Sequence, residues 1–168
     1  MVEFWKEAEA AIAASAGGRT RFFNTAEFAW VEKIEAAWSA IRGEVDCMLG
    51  ALERLPGFEE IQPDQRLLTT NDKRWKILPL YLHGHDLGGN QKRCPATVEV
   101  LKDIPGLKLA MFSIMQARKE LPPHRGPYSG VLRYHLGLKI PQPATQCGIS
   151  IAGEQANPPK LRKSCACR

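Results

Sequence analysis

The strongest constraint on this chain is a run of apolar residues at helical spacing. Phe28, Val31, Ile34, Trp38, Ile41, Val45, Met48 and Leu52 recur every three or four positions, which places them along one face of a helix. Asn24, with Glu27 three positions on, makes a good start, and Pro56-Gly57 makes a firm stop. The pattern predicts one long amphipathic helix whose stripe is core, with Gly43 as the place where it can be interrupted. Ahead of it, residues 4 to 16 are rich in Ala and Glu and predict a short helix ending at Gly17-Gly18.

After residue 57 the period changes. Trp75 to Leu82 reads as a strand, and an edge strand, because Pro79 has no N–H to give to a ladder. A short helix follows, with Pro95 in its first turn, Val98, Leu101 and Ile104 along one side and Pro105-Gly106 closing it. Strand-like runs come next at Leu107 to Met115 and Val131 to Ile140, with a weaker one at Gly148 to Ala152. Helices followed by strands give an α+β class. From Gly153 onward the chain offers no period and little to bury, so residues 153–168 are expected to form a disordered basic tail.

A chain of 168 residues, 44% of them hydrophobic, can bury one core. The expected organisation is an N-terminal helical segment at 1–24, a main domain at 25–152 and the tail. No apolar stretch is long enough to cross a membrane, and the acidic start does not suit a secretory leader, so the cytoplasm is the expected compartment. Five scattered cysteines are an odd set, for which reduced thiols are the expectation. The net charge of +5 is concentrated in Lys160, Arg162, Lys163 and Arg168; without a basic stripe interleaved with aromatics in the core, nucleic acid is not an expected partner.

Chemistry concentrates between residues 122 and 138. Alternation along the strand puts Arg133 and His135 on one face, beside a Pro- and Gly-rich loop that carries His124. Two donors on one strand face next to an imidazole can hold an anion beside a metal. A strand with a solvated polar face and a surface histidine accounts for the same residues.

The stretch from Pro122-Pro123-His124-Arg125-Gly126-Pro127 to Leu132-Arg133-Tyr134-His135-Leu136-Gly137-Leu138 resembles the signature of the aspartyl/asparaginyl β-hydroxylase family, a P-H-x-G-P turn followed by L-R-x-H-L-G-L. Upstream, Trp75 with Leu78-Pro79-Leu80, Asn90, Cys94-Pro95 with Thr97, Ile104-Pro105-Gly106 and Phe112-Ser113-Ile114 fall in the family's order. The resemblance implies a double-stranded β-helix, or jelly-roll core, with the helices outside. It also implies an Fe(II)- and 2-oxoglutarate-dependent dioxygenase that inserts one oxygen atom at an unactivated C–H. His124 matches the first iron ligand. Ser113, Arg133 and His135 match residues that contact 2-oxoglutarate, and Trp75 matches an aromatic lining the same pocket. Gly126 stands where the wider superfamily has a carboxylate ligand and this family does not.

Substrates of such enzymes include Asp or Asn side chains of peptides, amino-acid derivatives and the acyl chains of lipid A. The family's later segment, with its second iron histidine and an Arg for the distal carboxylate, has no counterpart here, since the histidines are His83, His85, His124 and His135 alone. The expectation is therefore a barrel incomplete at its C-terminal end, with unpaired edges that favour oligomers. A non-catalytic remnant that binds 2-oxoglutarate or a partner chain is the second expectation. His83-Gly84-His85-Asp86 and Cys165-Ala166-Cys167 have metal-capable side chains, but they read more simply as a loop and part of the tail.

Overall fold

The structure, a computed structural model, describes residues 2–15, 17–61, 69, 72–124, 130–156 and 165–167. In chain order its helices are α1 (Val2–Ala14), α2 (Ala29–Ala36), α3 (Trp38–Leu49), α4 (Phe58–Ile61), α5 (Gly88–Gln91) and α6 (Pro95–Leu101). Its strands are β1 (Phe22–Phe23), β2 (Trp75–Leu82), β3 (His85–Asp86), β4 (Leu109–Met115), β5 (Arg133–His135), β6 (Ile149–Ile151), β7 (Glu154–Ala156) and β8 (Cys165–Cys167). Chain contacts separate two compact units, Ala36–His124 and Met1–Glu35 with Arg125–Arg168.

In the unit Ala36–His124, β2 lies between β3 and β4, antiparallel to both. The strand predicted over 75–82 is thus the middle one, although its β3 neighbour covers only Tyr81 and Leu82. Pro79 escapes the cost of a missing donor because the ladder to β4 shifts by one residue between Pro79 and Tyr81. The hairpin to β3 turns through His83 and Gly84, both at positive φ (49° and 88°), the pair of left-handed residues that a two-residue turn of this hand requires. The His-Gly-His-Asp stretch, expected to be a loop, is thus a two-residue turn followed by the short strand β3.

Ile41, Val45 and Met48 of α3 are buried, as are Leu55, Phe58, Ile77, Leu78, Leu80, Cys94 and Phe112. The predicted long helix is broken at Ala37 rather than at Gly43: Ala37 (ψ 2°) separates α2 from α3 where the chain passes from one unit to the other. Gly43 stays helical. The buried Ile41 and Val45 flank it, and an Arg42–Asp46 ion pair of 2.7 Å spans it, which together offset the 0.5–1 kcal/mol or so that a mid-helix glycine costs. Asn24 does cap, but it caps a short 3-10 turn, Thr25–Glu27, by accepting the Ala26 N–H at 3.1 Å. α3 is tied to α6 by Glu44, whose carboxylate accepts the N–H groups of Ala96 (2.7 Å) and Thr97 (3.1 Å) and the Thr97 hydroxyl (2.5 Å).

In the other unit, β8 lies between β1 and β5, and β6 and β7 form a hairpin turning at Ala152-Gly153, again with both φ positive. Ala156 is buried against Phe22 and Ile151. The segment 153–168, expected to be without structure, therefore contains β7 and β8, two strands too short to leave a period in the sequence. Pro158-Pro159 and the basic residues Lys160, Arg162, Lys163 and Arg168 lie outside the described residues. The described strands make antiparallel sheets and no closed barrel.

Candidate functional site

Trp75 opens β2, and Ser113 sits diagonally across the ladder from it, because Trp75 pairs with Met115 and Ile77 with Ser113. A diagonal of this kind is within reach of a large side chain. The indole Nε1–H donates to Ser113 Oγ at 2.8 Å. The indole also stacks on Phe58 of α4, with ring centres 3.8 Å apart and planes 6° from parallel. The serine oxygen spends a lone pair on the indole, so its own O–H is left to donate outward. Ser113 is exposed and Trp75 half-buried, so this donor faces accessible space.

Arg133 and His135 come together on β5, one residue apart from Tyr134 on either side, and both are exposed. Tyr134 points the other way and meets the Trp30 ring edge-on at 5.0 Å and 80°. Trp30 in turn touches Phe28 at 5.7 Å, and Phe28 touches Phe23 at 6.5 Å. This aromatic chain pins the strand by its middle residue and leaves the cation and the imidazole side by side on its free face. The surrounding protein desolvates the His135 ring even though part of it reaches solvent, and the Arg133 charge adds to the effect, so its pKa is lowered from the usual histidine value. Near neutral pH the pair is therefore one permanent cation beside one neutral imidazole, a donor set suited to a carboxylate.

His124 is exposed, and its Nδ1 lies 2.9 Å from the Pro122 carbonyl oxygen. When Nδ1 carries the proton and donates it there, the Nε2 lone pair is free for a metal, the usual arrangement for a ligating histidine. Gly126 lies outside the described residues. Among the described residues no three His, Cys, Asp or Glu side chains gather into a metal-capable group, so His83, His85 and Asp86 do not complete a cluster with one another. The Arg133–His135 pair suits a carboxylate anion, whereas His124 offers one imidazole where an iron centre needs several ligands.

Two residues of this region were not singled out in the sequence. Phe58 supplies the face on which Trp75 stacks, and Glu59 beside it is 2% exposed. Nothing in periodicity marks either, since α4 is a single turn.

Comparison with known proteins agrees with the pattern of these residues. The family model described as aspartyl/asparaginyl beta-hydroxylase matches residues 35–158, and the chain belongs to that family. A curated relative, the ornithine lipid ester-linked acyl 2-hydroxylase of Rhizobium tropici, is 42% identical over 134 residues, which cover 80% of this chain and 47% of the relative. The chain thus spans about half the length of that relative. Both matches are to hydroxylases by name. No described helix is long and apolar enough to cross a membrane.

Proposed function

We propose that the chain is the 2-oxoglutarate-binding part of an Fe(II)/2-oxoglutarate-dependent hydroxylase, extending over residues 25–152 and acting in the cytoplasm on the acyl chain of a lipid. The overall reaction consumes O2 and 2-oxoglutarate, places one oxygen atom in a C–H bond of the substrate and the other in succinate, and releases CO2. The single observation that supports this reading best is the pairing of the assigned residues. Trp75 and Ser113 are joined by a hydrogen bond, and Arg133 and His135 share one strand face. The roles that the family resemblance suggests suit the donors within each unit: on β5 Arg133 can take a carboxylate through its planar fork with His135 as a neutral donor beside it, and in the unit Ala36–His124 Ser113 offers a neutral donor held in place by Trp75.

His124 is the residue assigned to iron. One imidazole does not hold Fe(II) firmly. The lipid acyl chain is preferred over an Asp or Asn side chain because the 42%-identical relative is a lipid acyl hydroxylase.

The shortage of metal-capable groups among the described residues supports a second reading, a chain that binds 2-oxoglutarate without turnover. Anaerobic titration with Fe(II) and 2-oxoglutarate separates the two. A visible charge-transfer band that His124→Ala abolishes supports the hydroxylase. Calorimetric 2-oxoglutarate binding with no band in either protein supports the binding-only chain. Absence of both band and binding heat sinks the two readings together.

A further inference from the structure

Glu59 is an unusual residue for a fold to keep. It is 2% exposed, one carboxylate oxygen, Oε1, accepts the backbone N–H of Lys73 at 2.8 Å, and the other, Oε2, is buried with no hydrogen-bond partner among the described residues. A buried carboxylate half satisfied in this way opposes folding, since it has lost water on both oxygens and regained a bond on one. The bond it does make is not needed for stability either, because Lys73 is exposed and water can serve its N–H. The surroundings nevertheless make room for it. Gly57 lies so close that a Cβ there would meet the carboxylate at 3.0–3.3 Å.

What the bond fixes is the approach to β2. Lys73 has φ 55°, a left-handed conformation that a non-glycine residue adopts at a cost, and Trp75 follows two residues later. Asp72 Oδ1 accepts the Arg74 N–H at 3.0 Å, and the Arg74 guanidinium donates to the Ala117 carbonyl. Consecutive residues of α4 thus grip this segment three times: Phe58 by the indole face, Glu59 by the backbone N–H of Lys73 two residues before it, and the exposed Glu60 by the Lys73 ammonium at 3.0 Å. Groups that oppose folding yet hold a functional side chain in place are a recognised use of strain.

We propose that Glu59 is a positioning residue for Trp75, fixing the indole and, through its hydrogen bond, the Ser113 hydroxyl. The consequence for ligand binding rests on the assignment of Trp75 and Ser113 to the 2-oxoglutarate pocket; the positioning itself does not. In the full chain, Glu59→Met removes the buried oxygens at similar volume, while Glu59→Gln keeps one acceptor for Lys73. Trp75 is read as the fluorescence difference between each protein and its Trp75→Phe counterpart, which subtracts Trp5, Trp30 and Trp38. Glu59→Met should shift Trp75 emission to the red and increase its quenching by acrylamide without lowering Tm, and Glu59→Gln should restore the wild-type signal.

An unchanged Trp75 signal in Glu59→Met overturns the proposal, and so does a changed signal accompanied by a lowered Tm, which is the mark of a merely structural role. A changed signal that Glu59→Gln fails to restore overturns it as well. If the wild-type chain binds 2-oxoglutarate, Glu59→Met should weaken that binding roughly tenfold, the scale on which supporting residues act. Unaltered affinity in that case overturns the proposal, whereas a wild-type chain that does not bind 2-oxoglutarate refutes only the assignment of the pocket and leaves Glu59 to be judged on the Trp75 signal.

Discussion

Glu44→Ala removes the side chain that joins α3 to the start of α6. Three bonds are lost at once, to the N–H of Ala96 at 2.7 Å, the N–H of Thr97 at 3.1 Å and the Thr97 hydroxyl at 2.5 Å. They share one carboxylate, so their separate strengths cannot simply be summed. The two N–H bonds act together as a helix cap, worth about 1–2 kcal/mol. The Thr97 hydroxyl is then left at a residue 6% exposed, which costs about 1–3 kcal/mol more. A loss of about 2–5 kcal/mol follows, or roughly 4–20 °C in Tm for a chain of this size. Urea denaturation measures the first and calorimetry the second. A double-mutant cycle tests the reasoning itself: Thr97→Val should destabilise the wild type yet be neutral or stabilising in Glu44→Ala, because there it removes an orphaned hydroxyl. Additive effects, or a loss under about 0.5 kcal/mol, the size of an ordinary surface substitution, would refute it.

Cys94 is fully buried against Met48, with 3.8 Å between the sulfurs, and burial, reinforced by the Glu44 charge and only partly offset by Arg93, pushes its thiol pKa from 9.0 to about 11. The folded state thus holds its proton more tightly than the unfolded one. The stability this adds is complete below pH 9.0 and is lost as pH rises toward about 11, by about 3 kcal/mol, and pH-dependent urea midpoints should fall across that window. A thiol reagent at pH 8 should label the exposed Cys47 quickly and Cys94 only after unfolding. His135 has the opposite sign. Its lowered pKa favours the neutral ring in the fold, so its contribution to stability is present above the unfolded histidine value and is lost as pH falls through the folded one. His135→Gln should reduce the acid sensitivity of the Tm, and 2-oxoglutarate binding to the wild type should take up protons below neutrality, as buffers of different ionisation heat reveal.

Elements with a strong local signature were legible in advance. β2 matches its apolar run from Trp75 to Leu82 residue for residue, and α6 begins at the proline that marks it. The break at Ala37 was not legible, because Val31 and Ile34 on one side stay in phase with Ile41, Val45 and Met48 on the other. Strands β7 and β8 were missed for a different reason: three residues each, they form by pairing with neighbours rather than from their own pattern. At the candidate site the motif picked out Trp75, Ser113, Arg133 and His135, and the structure joins Trp75 to Ser113 and sets Arg133 and His135 on one strand. It could not name Phe58 or Glu59, whose roles come from contacts 17 and 14 residues along the chain (58 to 75 and 59 to 73). Nor could it name Glu44, whose partners lie 52 and 53 residues away.

Isothermal calorimetry of the purified chain with 2-oxoglutarate, beside Arg133→Ala, tests most directly whether Arg133 takes the carboxylate of that ligand. The expected result is saturable binding by the wild type that Arg133→Ala weakens by roughly 10–100-fold, the loss of a charge-assisted pair at about 1.5–3 kcal/mol. No binding by the wild type, or equal affinity in the two proteins, contradicts it.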